Sequence, residues 1–591
     1  MKKNLNLLLA LFSAFSMNAQ HLDMTWSNQM LCDNKQDGFF DEFIGSNAQY
    51  VYARFSTSRL YPAGDNGNVS KNEKFKVLAF DKSDMRMAKS VNLKGYPGNK
   101  DLDDAEFHSA FVFEDKIHLY YIEKKKNVIE VYGQVLDKDL RVQKAAKKIY
   151  ELSNPQSKLS DGGLILLANK SGKVLVGCEI ISKENKDLKL DYRIMNQDMV
   201  MENSKQVTLP ITVVSVRRKY NNSAMFRNFR YNYAQKRMAL CSYLLSESGD
   251  VYVFADLESK NKKENYVMIS RINTSNGSLS TYDLVFPGKN IVSYRVTDKN
   301  MEIGLLGFYS NEGDKSNNVN GIFMNKLDKD LESTKLKFIP FDKKMVNSLF
   351  ANDEEERKIM QKKASKKDGG EAELYGDYNV EYLMDEGSKY VLFCSKTYNY
   401  YVTECRTSST GSGGSTTTCY DVPYCEKSNV TVFKVTENGD LEWAKNLDRK
   451  STYRYAWNVR DLNVIKGDNY YHVVYGSDYQ MNAQKKNRKS RKDKRQTIDR
   501  LEYASFSASN GNFNKYEYKI NAINAKKENI KKISPTNLWV FDNKMYTESS
   551  RYKLKGSTWI ACLCPPVFFV MTNKGNAYRG YSYFGTISAL D

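Results

Sequence analysis

The chain has 591 residues, 13% of them aromatic, and a formal net charge of +19. Its nine cysteines do not describe a small disulfide-held domain, because a chain of this length buries a core that needs no such bridges. No Pro/Ser-rich or Gly-rich linker divides it, which favours one large domain.

Residues 1–20 have the pattern of a cleaved export signal, with Lys2 and Lys3 before an apolar stretch and small residues near Ala19. We therefore predict that the mature chain, 21–591, is exported and carries a net charge of +17. The first cysteine is Cys32, which disfavours a lipid-anchored N-terminus. Nothing after residue 20 approaches the roughly 18 to 20 apolar residues of a membrane-spanning helix.

Polar turns rich in Asn, Asp and Gly recur eight times, each between two stretches typical of β-strands. They end near Met85, Leu140, Met199, Leu279, Leu331, Leu441, Phe513 and Ala577. A second series of turns precedes the first in the same order, and each of its members leads into a strand rich in Val, Tyr, Phe and Leu. Each unit therefore has four strands, A to D.

Such a period predicts an all-β fold, a single β-propeller of eight blades with four antiparallel strands each, over residues 21–591. Seven blades remain an alternative, since the C-terminal unit could be a cap. Residues 21–30 could supply an outer strand that latches the last unit. Insertions are predicted at 211–235, 342–376, 401–427 and 480–497.

A short helical insertion is predicted near 342–370. Asp353 to Glu356 come first, Lys362 to Lys367 come last, and glycines follow, an order that complements a helix dipole. Its apolar residues, Met345, Leu349, Ile359 and Met360, give it little to bury, so we expect it on the surface, as decoration or as a docking element.

Two basic stretches dominate the charge distribution, and each carries seven net positive charges. The first, within 211–245, has no acidic residue and interleaves cations with aromatic residues. Its predicted binding residues are Arg217, Arg218, Lys219, Arg227, Phe229, Arg230, Tyr231, Lys236 and Arg237. The second lies within 484–495, and its predicted binding residues are Lys485, Lys486, Arg488, Lys489, Arg491 and Lys492.

Both stretches fall in B–C or D–A connections, which in a propeller emerge on one face, opposite the short A–B and C–D turns. Smaller B–C loops, at 123–126 and 260–263, are expected to add to that face. A solvated loop without a partner is the alternative interpretation of any one basic run. Two insertions of the same sign favour a rim that attracts anions.

The exported setting makes a disulfide the expected state of two among Cys405, Cys419 and Cys425, with one cysteine left over. The four histidines give little support for catalysis. His108, near Asp103 and Asp104, is the best-placed candidate for acid–base chemistry, as in a polysaccharide lyase or glycosidase. We predict no metal and no cofactor.

The outer turns resemble those of the quinoprotein-like eight-bladed propellers, whose repeat runs roughly Ala-x-Asp, then Gly, then Trp. Asn438 to Trp443 is the best match, and 503–511 is a weaker one. The adjacent Cys-Cys pair of the quinone-binding members is absent, so the resemblance implies the architecture and no cofactor. Non-catalytic propellers of this type act as periplasmic envelope scaffolds. The signal ending and the Tyr/Lys/Asn-rich composition are similar to exported proteins of the Bacteroidota.

The sequence thus predicts a periplasmic or cell-surface binding and scaffold protein whose basic, aromatic face holds an anionic partner. That partner would be an envelope protein complex, lipopolysaccharide or an acidic glycan; nucleic acid fits poorly with export. A carbohydrate-active enzyme with its site at the channel mouth is the alternative.

Overall fold

The computed structural model describes twenty stretches of the chain between residues 21 and 590. They are 21–32, 38–56, 75–93, 105–125, 128–153, 164–182, 185–212, 216, 240–258, 265–299, 302–312, 318–351, 358, 372–409, 415–454, 459–477, 500–519, 533, 535–554 and 578–590. The described residues fall into two compact units, one drawn from 1–94 and 461–591 and the other from 95–460.

Strands are numbered in chain order. The N-terminal part of the first unit contains β1 (Leu22–Trp26), β2 (Met30–Cys32), β3 (Phe39–Ser46), β4 (Tyr50–Ser56), β5 (Phe75–Asp81) and β6 (Met87–Asn92). The first half of the second unit contains β7 (Glu106–Val112), β8 (Lys116–Lys125), β9 (Val128–Asp137), β10 (Val142–Ser153), β11 (Leu164–Ala168), β12 (Val174–Ile181), β13 (Asp187–Met195), β14 (Met201–Thr212), β15 (Ser242–Leu245), β16 (Val251–Glu258), β17 (Asn265–Ile272) and β18 (Leu279–Leu284).

The second unit continues with β19 (Lys289–Lys299), β20 (Glu302–Asn311), β21 (Gly321–Leu327), β22 (Ser333–Pro340), the helix α1 (Lys343–Leu349), β23 (Tyr378–Asp385), β24 (Lys389–Ser409), β25 (Ser415–Thr436) and β26 (Leu441–Arg454). The C-terminal part of the first unit contains β27 (Leu462–Lys466), β28 (Tyr470–Tyr475), β29 (Arg500–Ser507), β30 (Phe513–Lys519), a short 3-10 helix (Pro535–Asn537), β31 (Leu538–Phe541), β32 (Lys544–Leu554) and β33 (Tyr578–Ala589).

Eight antiparallel sheets contain all the strands that the structure describes. In seven of them four strands follow one another in chain order, so that each strand pairs with its sequence neighbour. Alternating or fully apolar strands joined by short polar turns form this meander because only adjacent strands can pair across a short turn. Each sheet is the blade of a β-propeller, and the predicted all-β fold with eight four-stranded blades is confirmed.

The last sheet is completed by the N-terminal strand. β31, β32 and β33 follow one another, and β1 pairs with β33 in register from Leu22↔Ala589 to Trp26↔Gly585. β2 pairs further along the same strand, from Met30↔Ser582 to Cys32↔Gly580. The latch expected from residues 21–30 is therefore present. The outer turn predicted at Ala577 lies outside the described residues.

Apolar clusters lie between successive sheets within each unit. One cluster joins the third and fourth sheets through residues such as Leu190, Tyr192, Tyr243 and Val253, all at most 1% exposed. Fully apolar B and C strands are buried on both faces in this arrangement, as in other stacked sheets. The core of each unit is therefore a series of inter-sheet layers.

The predicted helical insertion is present, but its described part is not confined to the surface. α1 begins after Asp342, whose side chain accepts a hydrogen bond from the Met345 N–H at 2.7 Å. Val346 and Leu349 are buried, at 4% and 6% exposure, in a cluster that also contains Phe433. The expectation of a helix that merely stands on the surface was wrong, because residues three apart share one helix face. Of the charged stretch from Asp353 to Lys367, the structure describes Lys358 only.

Four of the outer turns place Met or Leu in the left-handed region that usually requires glycine. Met85, Leu140, Met199 and Leu331 have φ between 51° and 65° and are at most 4% exposed. The other described outer turns use Gly277, Gly439 and Gly511 with positive φ. A left-handed non-glycine residue costs roughly 1–2 kcal/mol. Burial of the side chain offsets that cost here.

Leu331 gives a test of this balance. Leu331→Ala and Leu331→Gly both lose the buried side chain, at a cost of about 2–4 kcal/mol. Glycine also relieves the left-handed backbone, so we expect the glycine variant to be more stable than the alanine variant by about 1 kcal/mol. Denaturant unfolding measures both. At Leu305, a fully buried strand residue, the same pair of substitutions should show the opposite order. An alanine variant that is the more stable of the two at Leu331 would contradict the account.

Candidate interaction surface

The first basic stretch connects two adjacent sheets of the second unit. It leaves β14 at Thr212 and enters β15 at Ser242, which makes it a D–A connection as predicted from the turn order. Its predicted binding residues lie outside the described residues. Val216, just before them, forms an isolated bridge with Leu257 at the end of β16. The strands therefore fix where this stretch begins.

A buried carboxylate fixes the other end of the same stretch. Glu179, on β12, is 2% exposed and accepts hydrogen bonds from the backbone N–H groups of Leu240 at 2.6 Å and Cys241 at 2.9 Å. The Tyr243 hydroxyl donates a third at 2.6 Å. Burial, then the Glu179 charge, raises the pKa of Tyr243 well above its usual value. Glu179 thereby ties the exit of the basic stretch to the preceding sheet.

The second basic stretch belongs to the first unit. It lies between β28, which ends at Tyr475, and β29, which begins at Arg500, and is therefore a B–C connection of its own sheet. The predicted binding residues in 485–492 also lie outside the described residues. Before the stretch, the Gly476 N–H donates to the Asp461 carbonyl at 3.2 Å, and Ser477 is buried. These contacts hold the chain just after β28 against the strand before it.

One lysine of the smaller basic loops already has an acidic partner. Lys125, next to the connection between β8 and β9, lies with its Nζ 2.6 Å from Glu130 Oε2, and Lys148 Nζ lies 3.1 Å from Glu130 Oε1. The Lys125 hydrogen bond, with that of Tyr132, lowers the pKa of Glu130 to about 2. Lys125 therefore adds little free positive charge, and the contribution of the loop 123–126 stays a prediction. The loop at 260–263 lies outside the described residues.

The most prominent described feature is an arm formed by the far halves of β24 and β25. β23 pairs with β24 only from Asp385↔Tyr390 to Tyr378↔Lys396, whereas β24 and β25 remain paired without interruption to Ser409↔Ser415. β26 accompanies β25 as far as Tyr424↔Arg454. Residues beyond these points, 398–409 and 415–423, form a two-stranded ribbon that we call the arm. The predicted insertion at 401–427 is thus a continuation of two blade strands.

The arm is braced along its length. Cys405 and Cys419 are directly opposite in register and form a disulfide, while Cys425 is buried outside that bridge. Glu404 accepts a hydrogen bond from the Tyr424 hydroxyl at 2.9 Å and pairs with Arg454 of β26. A two-stranded ribbon alone is marginal in water, so these covalent and ionic contacts account for its order.

Aromatic side chains cover part of the arm. Tyr398, Tyr400 and Tyr424 stack in sequence with ring centroids 5.2 and 5.6 Å apart, and Tyr398 is 60% exposed. Tyr401, on the opposite face of the ribbon, is 63% exposed. At the base, burial opposes ionisation of Glu381, but its partner Lys427 holds the pKa of that carboxyl below the usual value. The arm therefore presents exposed tyrosines on an anchored base.

The histidines have structural surroundings in the described residues. His108 lies half-buried at a bulge of β7 with its Nδ1 3.3 Å from Ser109 Oγ; Asp103 and Asp104 lie outside the described residues. His118 is fully buried, with Nε2 2.8 Å from the Gln197 carbonyl oxygen and Nδ1 3.2 Å from the Tyr120 hydroxyl. His472 is also buried, with Nδ1 2.9 Å from Ser505 Oγ.

Metal-ligating clusters are not found in the part of the chain that the structure describes: no three His, Cys, Asp or Glu side chains converge there as ligands would. The described helical residues include no segment with the length and apolar character of a membrane-spanning helix.

No protein-family model matches this chain, and no curated protein is similar to it in sequence. Two solved structures illustrate its structural similarity. The β-propeller domain of the Trilobed protease from Pyrococcus furiosus is 8% identical, with 83% of this chain and 98% of that chain covered and a TM-score of 0.34. The WD40 domain of SCAP from fission yeast is 6% identical, with 97% and 99% covered and a TM-score of 0.34. Neither similarity carries an inference about function.

Proposed function

We propose that this chain is an exported, non-catalytic binding or scaffold propeller that engages an anionic partner through its basic, aromatic connections. The partner class is an acidic protein surface of an envelope complex, the phosphates of lipopolysaccharide, or an acidic glycan. Fold alone does not determine such a role, so the proposal depends on where the charge lies.

The observation that carries the proposal is the concentration of positive charge in two connections between blade strands. Each basic stretch contributes seven of the seventeen net positive charges of the mature chain, so the rest of the chain is close to neutral. One stretch runs from β14 to β15 and the other from β28 to β29. In a four-stranded meander, both kinds of connection leave their sheet at the end opposite the A–B and C–D turns.

The residue types suit recognition of anions. Arginine forms paired hydrogen bonds with carboxylate and phosphate groups, and the first stretch contains Arg217, Arg218, Arg227, Arg230 and Arg237. Its interleaved tyrosines and phenylalanines offer flat surface against sugar rings or protein side chains. Glu179 and Val216 hold the two ends of this stretch against the sheets, which lowers the entropy lost when a partner binds.

The export signal predicted at residues 1–20 supports an extracytoplasmic location, in the periplasm or at the cell surface. There, lipopolysaccharide phosphates and acidic glycans are abundant anions, and nucleic acid is a poor candidate. The proposal therefore directs the search to envelope components.

A charge-removal variant tests the proposal. It replaces the seven cations of the first stretch with serine, namely Arg217, Arg218, Lys219, Arg227, Arg230, Lys236 and Arg237. The two assays are pull-down from an envelope extract and binding to vesicles that contain lipopolysaccharide. At low salt, we expect the variant to bind at least tenfold more weakly than the unaltered chain. At high salt, both the variant and the unaltered chain should bind weakly.

The matched control removes the same charge from exposed positions outside the two basic stretches. It replaces seven exposed lysines with serine, namely Lys89, Lys147, Lys170, Lys329, Lys337, Lys344 and Lys515. If net charge alone governs binding, both variants lose it equally. Equal losses, or binding that salt does not change, would refute a role for the basic connections.

A further inference from the structure

The outer strands of the blades carry a recurring protection against strand pairing. Lysine on an exposed edge strand discourages another strand from adding to the sheet. Six of the seven D strands that follow their own C strand contain lysine, with β18 as the exception. These lysines include Lys89, Lys144, Lys205, Lys335, Lys445 and Lys515. Lysine therefore disfavours strand addition at the outer edge of most of these blades.

The edge of the arm formed by β24 lacks this protection. From Tyr398 to Ser409 it contains no lysine and no proline, and it is rich in Tyr, Thr and Val, which favour extended backbone. Among the described residues, β25 is the only strand that pairs with this part of β24. The opposite edge, formed by β25, carries Pro423, and β26 covers it up to Tyr424. Pro423 therefore interrupts pairing on the β25 edge, whereas no proline interrupts the β24 edge.

The register identifies which backbone groups face that open edge. Cys405 and Cys419 have Cα atoms 4.0 Å apart, the short separation of a non-hydrogen-bonded pair in an antiparallel ladder. The register is unbroken from Lys396 to Ser409, so Thr403 and Thr407 occupy the same kind of position as Cys405. Their N–H and C=O groups point away from β25. Pro423 also occupies a position of this kind. The N–H that proline lacks would point away from β24, so the ladder between the two strands loses no hydrogen bond.

We infer that the open β24 edge of the arm pairs antiparallel with the same edge of a second copy of this chain. Sequence symmetry about Cys405 favours this occupant. Antiparallel pairing centred on Cys405 places Glu404 of each copy opposite Arg406 of the other, and Thr403 opposite Thr407. One twofold interface then covers both open edges, as closed dimers require. This inference does not depend on the proposed anionic partner.

Charge repulsion between two basic copies does not prevent this pairing. Between Tyr398 and Pro423 the arm carries only Glu404, Arg406 and Asp421 as charged residues, so it is nearly neutral. Its twelve residues on β24 extend roughly 40 Å at about 3.4 Å per residue. That length exceeds the screening distance of about 8 Å at physiological salt. Two arms can therefore meet without opposing like charges, and charges separated by more than that screening distance repel little.

Sedimentation equilibrium of the mature chain over a concentration series tests the inference. The unaltered chain should form a dimer. Thr403→Pro removes an outward N–H while sparing the ladder with β25, and a dimer loses two hydrogen bonds because both copies change. We expect about hundredfold weaker self-association. Thr417→Pro, at the matching position on the β25 edge, should leave the dimer unchanged.

Hydrogen exchange on the unaltered chain gives a second readout that does not depend on a folded variant. In the dimer, the amides of Thr403, Cys405 and Thr407 should exchange more slowly, while those of Val402 and Glu404, which face β25, should not change. The inference would be overturned by a chain that stays monomeric or by a dimer that survives Thr403→Pro. A dimer in which protected and unprotected amides do not alternate along β24 would overturn it as well. So would a monomer whose edge is protected only by a foreign strand.

Discussion

Replacing Glu179 with alanine should lower the free energy of unfolding by about 3–5 kcal/mol, among the largest effects of a single substitution in this chain. The carboxylate is 2% exposed and accepts from two backbone N–H groups and the Tyr243 hydroxyl. Without it, three buried donors lose their acceptor. Each such donor costs about 1–3 kcal/mol.

Glu179→Gln separates the role of the charge from that of the shape. Glutamine keeps one acceptor oxygen but presents an NH2 group that cannot accept from a backbone N–H, so we expect a loss of about 2 kcal/mol. Denaturant unfolding measures the free energy. Glu151→Gln is a control, because Glu151 is 41% exposed and its ion pair with Lys148 contributes about 0–1 kcal/mol.

The same substitution should act on the basic stretch. We expect faster hydrogen exchange at the amides of Leu240 and Cys241 in the glutamine variant, since both donate to Glu179. Unchanged exchange at these two amides, or unfolding free energies equal to that of the Glu151 variant, would show that Glu179 does not fix the exit of this connection.

Acidification from pH 6.5 to 4 should destabilise the second unit through His118. Burial is the main cause that lowers the pKa of His118 to about 4, and the nearby charges of Lys116 and Lys144 act in the same direction. The Gln197 carbonyl and Asp198 oppose them. The folded chain therefore keeps the ring neutral in a range where the unfolded chain, with an ordinary pKa near 6.5, binds a proton.

The sign follows from proton uptake. Between pH 6.5 and 4 the unfolded state holds more protons than the folded state, so stability falls as pH falls, by up to about 3 kcal/mol for this residue. Above pH 6.5 the His118 ring is neutral in both the folded and the unfolded state, so its contribution to stability is constant. Urea unfolding at several pH values measures it, and His118→Gln should flatten the pH dependence by that amount. An NMR titration that places the His118 pKa near 6.5 would contradict this account.

The blade pattern was predictable because its causes are local. Turn residues such as Asp328 and Gly277 repeat in fixed order, and alternating strands such as β13 reveal their buried face directly. The N-terminal latch was one possibility in the sequence, because Leu22, Met24 and Trp26 alternate with polar residues ahead of the first complete unit. Eight sheets with the predicted strand order are the result.

The features that sequence reasoning missed depend on contacts between distant segments. Glu179 lies within an apolar strand and resembles a solvated charge until Leu240 and Cys241 are brought against it. The sequence predicted an inserted loop here because residues 410–414 are rich in Gly and Ser, although Thr, Tyr and Val lie on both sides of them. That flanking β-propensity was the available signal. Val346 and Leu349, three residues apart, were the signal for a buried helix face.

The candidate binding residues remain a prediction from sequence, since both basic stretches lie outside the described residues. What could be derived is their setting, namely a D–A connection anchored by Glu179 and a B–C connection of the first unit. Charged residues in such connections contact solvent or a partner and do not pack in a core. No hydrophobic period in the sequence therefore specifies the conformation of the connection.

The salt dependence of binding to vesicles containing lipopolysaccharide tests the central claim most directly. If the basic connections hold an anionic partner, the affinity of the mature chain should fall steeply with salt concentration, and a variant with serine in place of the cations of both stretches should bind weakly with little salt dependence. The control with seven exposed lysines outside the basic stretches replaced should keep most of the salt dependence. An affinity that salt leaves unchanged, or one that the doubly substituted chain retains, would contradict the claim.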